Sequence, residues 1–176
     1  MRELKIINAF LVNDGKISKE DIHVVGNKIV KIGNCIKSSD NAEVFDATGK
    51  YVFPGLIDDQ VHFREPGLTH KATIETESKA ALAGGITSFL EMPNTNPQTT
   101  TIKEWEFKNK LAEKTSYANY GFMFGGTNNN LDQILKLDSK RVPALKLFLG
   151  SSTGNMLVDN PEVLKNIFEN TDLVIA

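Results

Sequence analysis

Phe53-Pro54-Gly55-Leu56-Ile57-Asp58-Asp59-Gln60-Val61-His62-Phe63-Arg64-Glu65-Pro66-Gly67 decides how this chain is read. Leu56 and Ile57 form a short apolar run, a dense polar cluster follows, and Pro-Gly pairs stand on both sides. Such pairs mark turns, so the run reads as a buried strand whose last residues face a site. Carboxylates, an imidazole and a guanidinium at a strand end must be paired, hydrated or bound to a metal. The plainer reading is a strand followed by a solvated loop, with His62 as one more surface imidazole. Two later stretches weigh against it. One is Met92-Pro93-Asn94-Thr95; the other is Leu145-Lys146-Leu147-Phe148-Leu149-Gly150, where a single lysine interrupts an apolar strand.

Upstream, residues 1–53 predict a small β domain. Leu4 and Ile6 alternate, as do Ile22 and Val24, and Gly26-Asn27 separates this stretch from Ile29, Val30 and Ile32. That is a hairpin signal with a positive-φ turn. Val44-Phe45, a turn at residues 46–49 and Tyr51-Val52-Phe53 follow. So short a sheet is thin by itself and calls for a further layer.

Downstream, residues 54–176 alternate strands with helices. The first strand covers about 56–62. A helix from Ile74 to Ala83 is capped by Thr73, with Glu75 and Glu77 in its first turn, and Gly84-Gly85 ends it. A strand from Ile86 to Met92 leads to Pro93-Asn94. Thr101 and Glu104 form a capping box for a second helix, whose stripe is Ile102, Trp105, Leu111 and Ala112. A third strand spans about 117–124, and a third helix 131–137 has Leu131, Ile134 and Leu135 on one side. The fourth strand is 144–149. The polar loop 150–155 is either a substrate loop or a turn, and its glycines do not match a phosphate-binding loop. Asn160 and Pro161 start a fourth helix with Leu164, Ile167 and Phe168 on one face. Residues 172–176 begin a fifth strand.

Strand-helix repetition of this kind makes a parallel α/β series. Two closures fit: an open doubly wound sheet, or the first half of a (β/α)8 barrel, which when whole takes about 250 residues. Because the chain stops inside an apolar strand, the half-barrel is preferred, and a larger protein is expected.

The bulk composition is ordinary. The chain has 176 residues, 40% hydrophobic content and a formal net charge of -2. That balance gives no electrostatic footprint for nucleic acid, and no apolar run is long enough to span a bilayer. Cys35 is the sole cysteine, so no intrachain disulfide forms, and a reducing, cytoplasmic setting is expected.

In a barrel, site residues lie at the C-terminal ends of the strands. Gln60, His62, Arg64, Asn94 and Lys146 fall there. A lysine in an apolar strand needs its charge removed or satisfied. Carbamylation by carbon dioxide is one solution; a head reaching solvent is another. Arg64 binds an anionic group or pairs with Glu65, Asp58 or Asp59. Asn94 serves a ligand or caps the turn after Pro93. His23 and His70 read as solvated, and Trp105 and the phenylalanines as core.

Residues 58–67, Met92-Pro93-Asn94-Thr95 and Leu145-Lys146-Leu147-Phe148 together resemble the signatures of dihydroorotases, within the cyclic amidohydrolase group of the amidohydrolase superfamily. The resemblance runs over essentially the whole chain. It implies a half-barrel of strands one to four and the start of strand five, preceded by the β domain, and a metal-dependent hydrolase interconverting dihydroorotate and N-carbamoyl-L-aspartate in pyrimidine biosynthesis. His62 would be a metal ligand and Lys146, as carboxylysine, a bridge between zinc ions, one or two in the full-length protein. Arg64 and Asn94 would bind the substrate carboxylate. Two further metal histidines and an Asp acid/base would follow residue 176. Gln60 stands where the family carries a second strand-one histidine and offers only a weak, neutral oxygen.

A hydantoinase- or allantoinase-like enzyme on the same scaffold is the first alternative. A catalytically inactive, dihydroorotase-like partner subunit, motivated by Gln60, is the second. A homodimer and a pyrimidine-pathway enzyme partner both remain open as assemblies, with no nucleic acid and no membrane. The 176-residue chain alone is expected to open dihydroorotate at a negligible rate, since no acid/base lies within it. Robust metal-dependent turnover by this chain in a ring-opening assay would contradict that.

Overall fold

The structure is a computed structural model, and it describes residues 2–150 and 154–176. The chain divides into two compact units, Met1–Pro54 and Gly55–Ala176.

The first unit is a five-stranded mixed sheet. Strands β1 (Glu3–Asn13), β2 (Lys16–Val25), β3 (Lys28–Gly33) and β4 (Glu43–Asp46) lie in the order β3-β2-β1-β4, and β5 (Tyr51–Val52) also pairs with β1. The β1-β2 hairpin turns at Asp14-Gly15, both at positive φ (49° and 70°), a backbone that two-residue hairpin loops require. The second hairpin turns at Gly26, φ 62°. Ala9, Leu11, Ile22, Ile36 and Ala47 are its buried apolar residues, while Ile29, Val30, Ile32, Val44, Phe45 and Tyr51 are exposed. His23 is not solvated as expected. Its side chain is largely buried, with Nε2 2.6 Å from Glu3 Oε1. Hydrogen bonds from the Ser39 hydroxyl and amide, with His23 beside them, pull the Glu3 carboxyl down to about 2.

The second unit alternates β6 (Leu56–Val61), α1 (Ile74–Ala83), β7 (Ile86–Glu91), α2 (Ile102–Thr115), β8 (Asn119–Phe122), β9 (Phe124–Gly125), α3 (Leu131–Ile134), β10 (Leu145–Lys146) and α4 (Pro161–Asn170). Its strands pair in parallel as β6-β7-β8 and β9-β10. The third predicted strand breaks at Met123, where the chain changes partner: Met123 N donates to Glu91 O, and Phe124 N to Ala144 O. Beyond β10, Leu145 N donates to Val174 O and Leu147 N to Ala176 O, so the terminal segment joins the same parallel wall.

Side-chain parity separates two faces. Phe63, Phe89, Phe122, Phe124, Leu145 and Leu147 pack with Ile74, Trp105, Ala112, Ile134 and Ile167 of the four helices in one apolar cluster. Met92, Met123 and Ala144, with Leu90, make a small second cluster on the alternate residues. Helices thus cover one face only, which is the arc of a barrel and excludes the doubly wound alternative, whose sheet is covered on both faces.

Local signals explain the helix starts. Thr73 accepts from Thr76 N, and the Thr76 side chain answers to complete a capping box; Asn160 accepts from Glu162 N with Pro161 at the first position. Several expectations are corrected. Thr101 accepts from Glu104 N, but Glu104 Oε2 is buried without a hydrogen-bond partner among the described residues, so that box is only half made. Helix three is a single turn, and Leu135 and Phe168 are exposed. The fourth strand narrows to Leu145–Lys146. Leu56 and Ile57 are exposed rather than buried, because among the described residues β6 has β7 as its only strand neighbour. No helix among the described residues is long and apolar enough to cross a membrane.

Trp105 is buried in the helix-facing cluster, and its Nε1 donates to Phe122 O at 2.9 Å. Trp105→Phe keeps most of the apolar volume and leaves that strand carbonyl without its donor. A loss of about 1–3 kcal/mol is expected, read from urea denaturation.

Candidate functional site

The C-terminal ends of the parallel strands carry the polar residues. At the end of β6 Val61 packs against the helix-facing core, and just beyond the strand Phe63 is buried in it, so Gln60 and His62 take the opposite face where the chain stays extended. On β10, Leu145 is core and Lys146 takes that same opposite face. His62 Nδ1 lies 2.9 Å from Asn94 Oδ1. Donation from Nδ1–H to that carbonyl leaves the lone pair of a neutral ring on Nε2, the arrangement in which an outer-shell acceptor orients a ligand imidazole. Asn94 is buried at 6% exposure. Its side-chain oxygen is therefore taken up by His62.

The electrostatics favour neutral His62. Partial desolvation lowers its pKa, the Asn94 hydrogen bond opposes this, and the positive charges of Arg64, Lys146 and Lys108 lower it further. Those three cations therefore bear on one imidazole, although they come from three different stretches of chain. Lys146 is half-buried and makes no ion pair among the described residues; its Nζ stands 5.4 Å from the Phe148 ring centroid. A positive field of this kind attracts electron-rich oxygen atoms, neutral or charged.

Arg64 sits at φ 71° and makes no ion pair with Asp58, Asp59 or Glu65. Glu65 instead accepts from Ile74 N at 2.7 Å, at the start of α1, where a carboxylate suits the helix N-terminus. Arg64 Nη1 is buried with no hydrogen-bond partner among the described residues. Asn96 N donates to Pro66 O at 3.1 Å, which joins the loops after β6 and β7. Gln60 is exposed, and its amide N donates to Asp58 Oδ1. His70 is exposed. Residues 151–153 of the 150–155 loop lie outside the described residues.

Sequence reasoning missed one pair. Glu91 and Lys108 are both fully buried, with Oε2 2.8 Å from Nζ. Oε2 makes no well-aligned hydrogen bond, so the contact is ionic rather than directional. Burial pushes Glu91 up and Lys108 down, and each partner opposes the other's shift; at this separation the ionised pair is favoured. The signal was present, because Lys108 lies three residues after Trp105 and four before Ala112, on the buried stripe of α2.

Could these residues hold a metal? His62 offers one imidazole nitrogen, and Lys146 would offer oxygens only as a carbamate. Among the described residues no group of three His, Cys, Asp or Glu stands together. The donors of this chain alone do not fit a divalent ion.

Comparison with known proteins agrees with this architecture. Residues 49–123 match the sequence model of a family described as Dihydro-orotase-like. An allantoinase of Deinococcus radiodurans is 38% identical over 151 residues, 85% of this chain and 34% of that protein. A dihydroorotase of Carboxydothermus hydrogenoformans is 50% identical over 106 residues, 58% of this chain and 24% of that protein. The solved L-hydantoinase (dihydropyrimidinase) of Arthrobacter aurescens superposes with a TM-score of 0.88 at 30% identity, covering 96% of this chain and 38% of that one.

Over an N-terminal portion the chain is similar to cyclic amidohydrolases of the amidohydrolase superfamily, and it carries the first half of a distorted (β/α)8 barrel preceded in sequence by a β-sheet subdomain. Within that group the matches spread over dihydroorotases, allantoinases and hydantoinases and single out none. The chain spans roughly a third of the length of the first curated relatives it matches.

His62 is expected to titrate below the ordinary imidazole value of 6.5. With the folded value lowered, the unfolded chain takes up the proton first. The His62 contribution to stability is present above pH 6.5 and is lost as pH falls through that value toward the folded one. NMR titration of the imidazole checks the shift, and His62→Asn should flatten that part of the stability profile.

Proposed function

We infer that the protein carrying this chain is a cyclic-amide hydrolase that opens a small ring of the hydantoin or allantoin type. The observation that supports it is the His62–Asn94 hydrogen bond at the strand rim, next to Lys146 and Arg64. Relatives and solved structures bearing hydantoinase and allantoinase names support the ring class. In this reading His62 is a ligand-type imidazole, Asn94 fixes its tautomer, and Arg64 draws an electron-rich ring oxygen to the rim. A divalent ion, zinc in the first instance, belongs to the proposal for the longer protein, with Lys146 as carbamate and Gln60 as a weaker donor.

Dihydroorotate is the second reading. The buried Nη1 of Arg64, unpartnered among the described residues, suits a ring carboxylate, since guanidinium groups recognise carboxylates by paired hydrogen bonds. Dihydroorotases also stand among the curated relatives.

The test is kcat/KM of the full-length protein for hydantoin, allantoin and dihydroorotate, with its metal content. Preference for an uncharged ring is expected, and turnover of none of the three would sink the proposal. Should dihydroorotate be preferred, Arg64→Met is expected to lower kcat/KM for it by about tenfold or more, and by less for hydantoin.

A further inference from the structure

The buried pair is tied to the rim by one hydrogen bond. Glu91 ends β7 and Lys108 lies within α2, 2.8 Å away. Lys108 Nζ also donates to Met92 O at 3.1 Å and stands 5.0 Å from the Phe122 ring centroid. Glu91 turns its other oxygen, Oε1, toward the loop after β6, where it accepts from Arg64 N at 3.0 Å. Arg64 O in turn accepts from Leu68 N at 3.1 Å. The peptide groups on both sides of Arg64 are therefore held, one of them by a side chain from a neighbouring strand.

Both features carry a cost. A left-handed φ of 71° is unfavourable for a residue with a Cβ. A fully buried ion pair gains little net stability over well-packed apolar side chains, because desolvation offsets the attraction. The helix-facing cluster is built of apolar residues such as Phe89 and Phe122, so a pair of leucine-like residues is compatible with that layer. The charge at Glu91 meets one need that an apolar side chain would not: an acceptor for the Arg64 amide. Meanwhile the Arg64 guanidinium keeps Nη1 buried and unpartnered among the described residues, beside the His62–Asn94 pair.

We propose that Glu91 and Lys108 are positioning residues: Lys108 fixes Glu91, and Glu91 holds Arg64 left-handed so that its guanidinium stands ready to receive an oxygen of the ring substrate. The identity of the ring rests on the cyclic-amide reading above; the holding of Arg64 does not.

The full-length protein tests it, with whichever of hydantoin, allantoin or dihydroorotate it turns over best. Glu91→Leu/Lys108→Met removes charge and acceptor together. It should keep or raise the Tm and raise KM by the same factor as Arg64→Met does for that ring, with a smaller change in kcat. The triple variant should be no worse than Arg64→Met, because effects acting through one group do not add. Glu91→Gln/Lys108→Met keeps an amide oxygen for Arg64 N and should restore a near-normal KM. A folded Glu91→Leu/Lys108→Met protein with unchanged KM, or fully additive effects, would overturn the proposal. Hydrogen exchange at the Arg64 amide of the unmodified protein decides if the variant fails to fold: slow exchange supports the tie, and exchange at the rate of a free loop refutes it. If no ring is turned over, the cyclic-amide reading fails while this exchange measurement still reads the inference.

Discussion

Parallel pairing is the constraint on which the second unit depends. Strands that run the same way deliver all their C-terminal ends to one rim, and alternation then assigns every residue a face. Val61, Phe63, Phe89, Glu91, Phe122, Phe124, Leu145 and Leu147 meet the helices; Gln60, His62, Leu90, Met92, Met123, Ala144 and Lys146 take the other face. A slip of one residue on β6 would drive His62 into the helix layer and Phe63 onto the rim. The buried rings of Phe63 and Phe89, 4.5 Å apart, penalise that slip. The apolar face thus fixes the address of the polar one.

Most of this was legible where the signal is local. Thr73, Asn160 and Pro161 announced helix starts, and α1 ends where Gly84-Gly85 stands. What could not be read was set by distant partners. The break at Met123 exists because its neighbours on either side bond to different strands, and no property of the local sequence records that. Leu135 and Phe168 have helical spacing yet stay exposed, since an apolar stripe does not say how much of it the neighbouring elements cover. At the site, the signature residues His62 and Asn94 stood out, but their bond spans 32 positions and is a product of β6-β7 pairing. Lys108 was overlooked because a lysine on a helix ordinarily faces water; only the carboxylate of Glu91 makes its burial intelligible.

The two units differ in how they are held. The second has a continuous apolar cluster from Phe63 to Ile167. The first buries few side chains, and its order rests on the β1 ladders and on polar ties such as Glu3 with Ser39 and His23 and Asp46 with Thr48 and Asn8. Those ties hold only while the carboxylates are ionised; hydrogen bonds keep the pKa of both below its ordinary value, so they persist well into mild acid.

Gly125 and Gly126 lie where β9 meets β10. A Cβ at Gly125 would come 2.4 Å from Met156 Cε, and one at Gly126 2.3 Å from Leu147 Cδ2, while Gly126 N donates to Lys146 O at 2.9 Å. The bare backbone there is a clearance behind the lysine. Any methyl group added at Gly126 must push Leu147, and Leu147 is bonded in sequence to Lys146. A side chain at these buried positions would crowd the residue next to the lysine, and the space left empty at these glycines is as much a part of the rim's tolerances as the residues that face it.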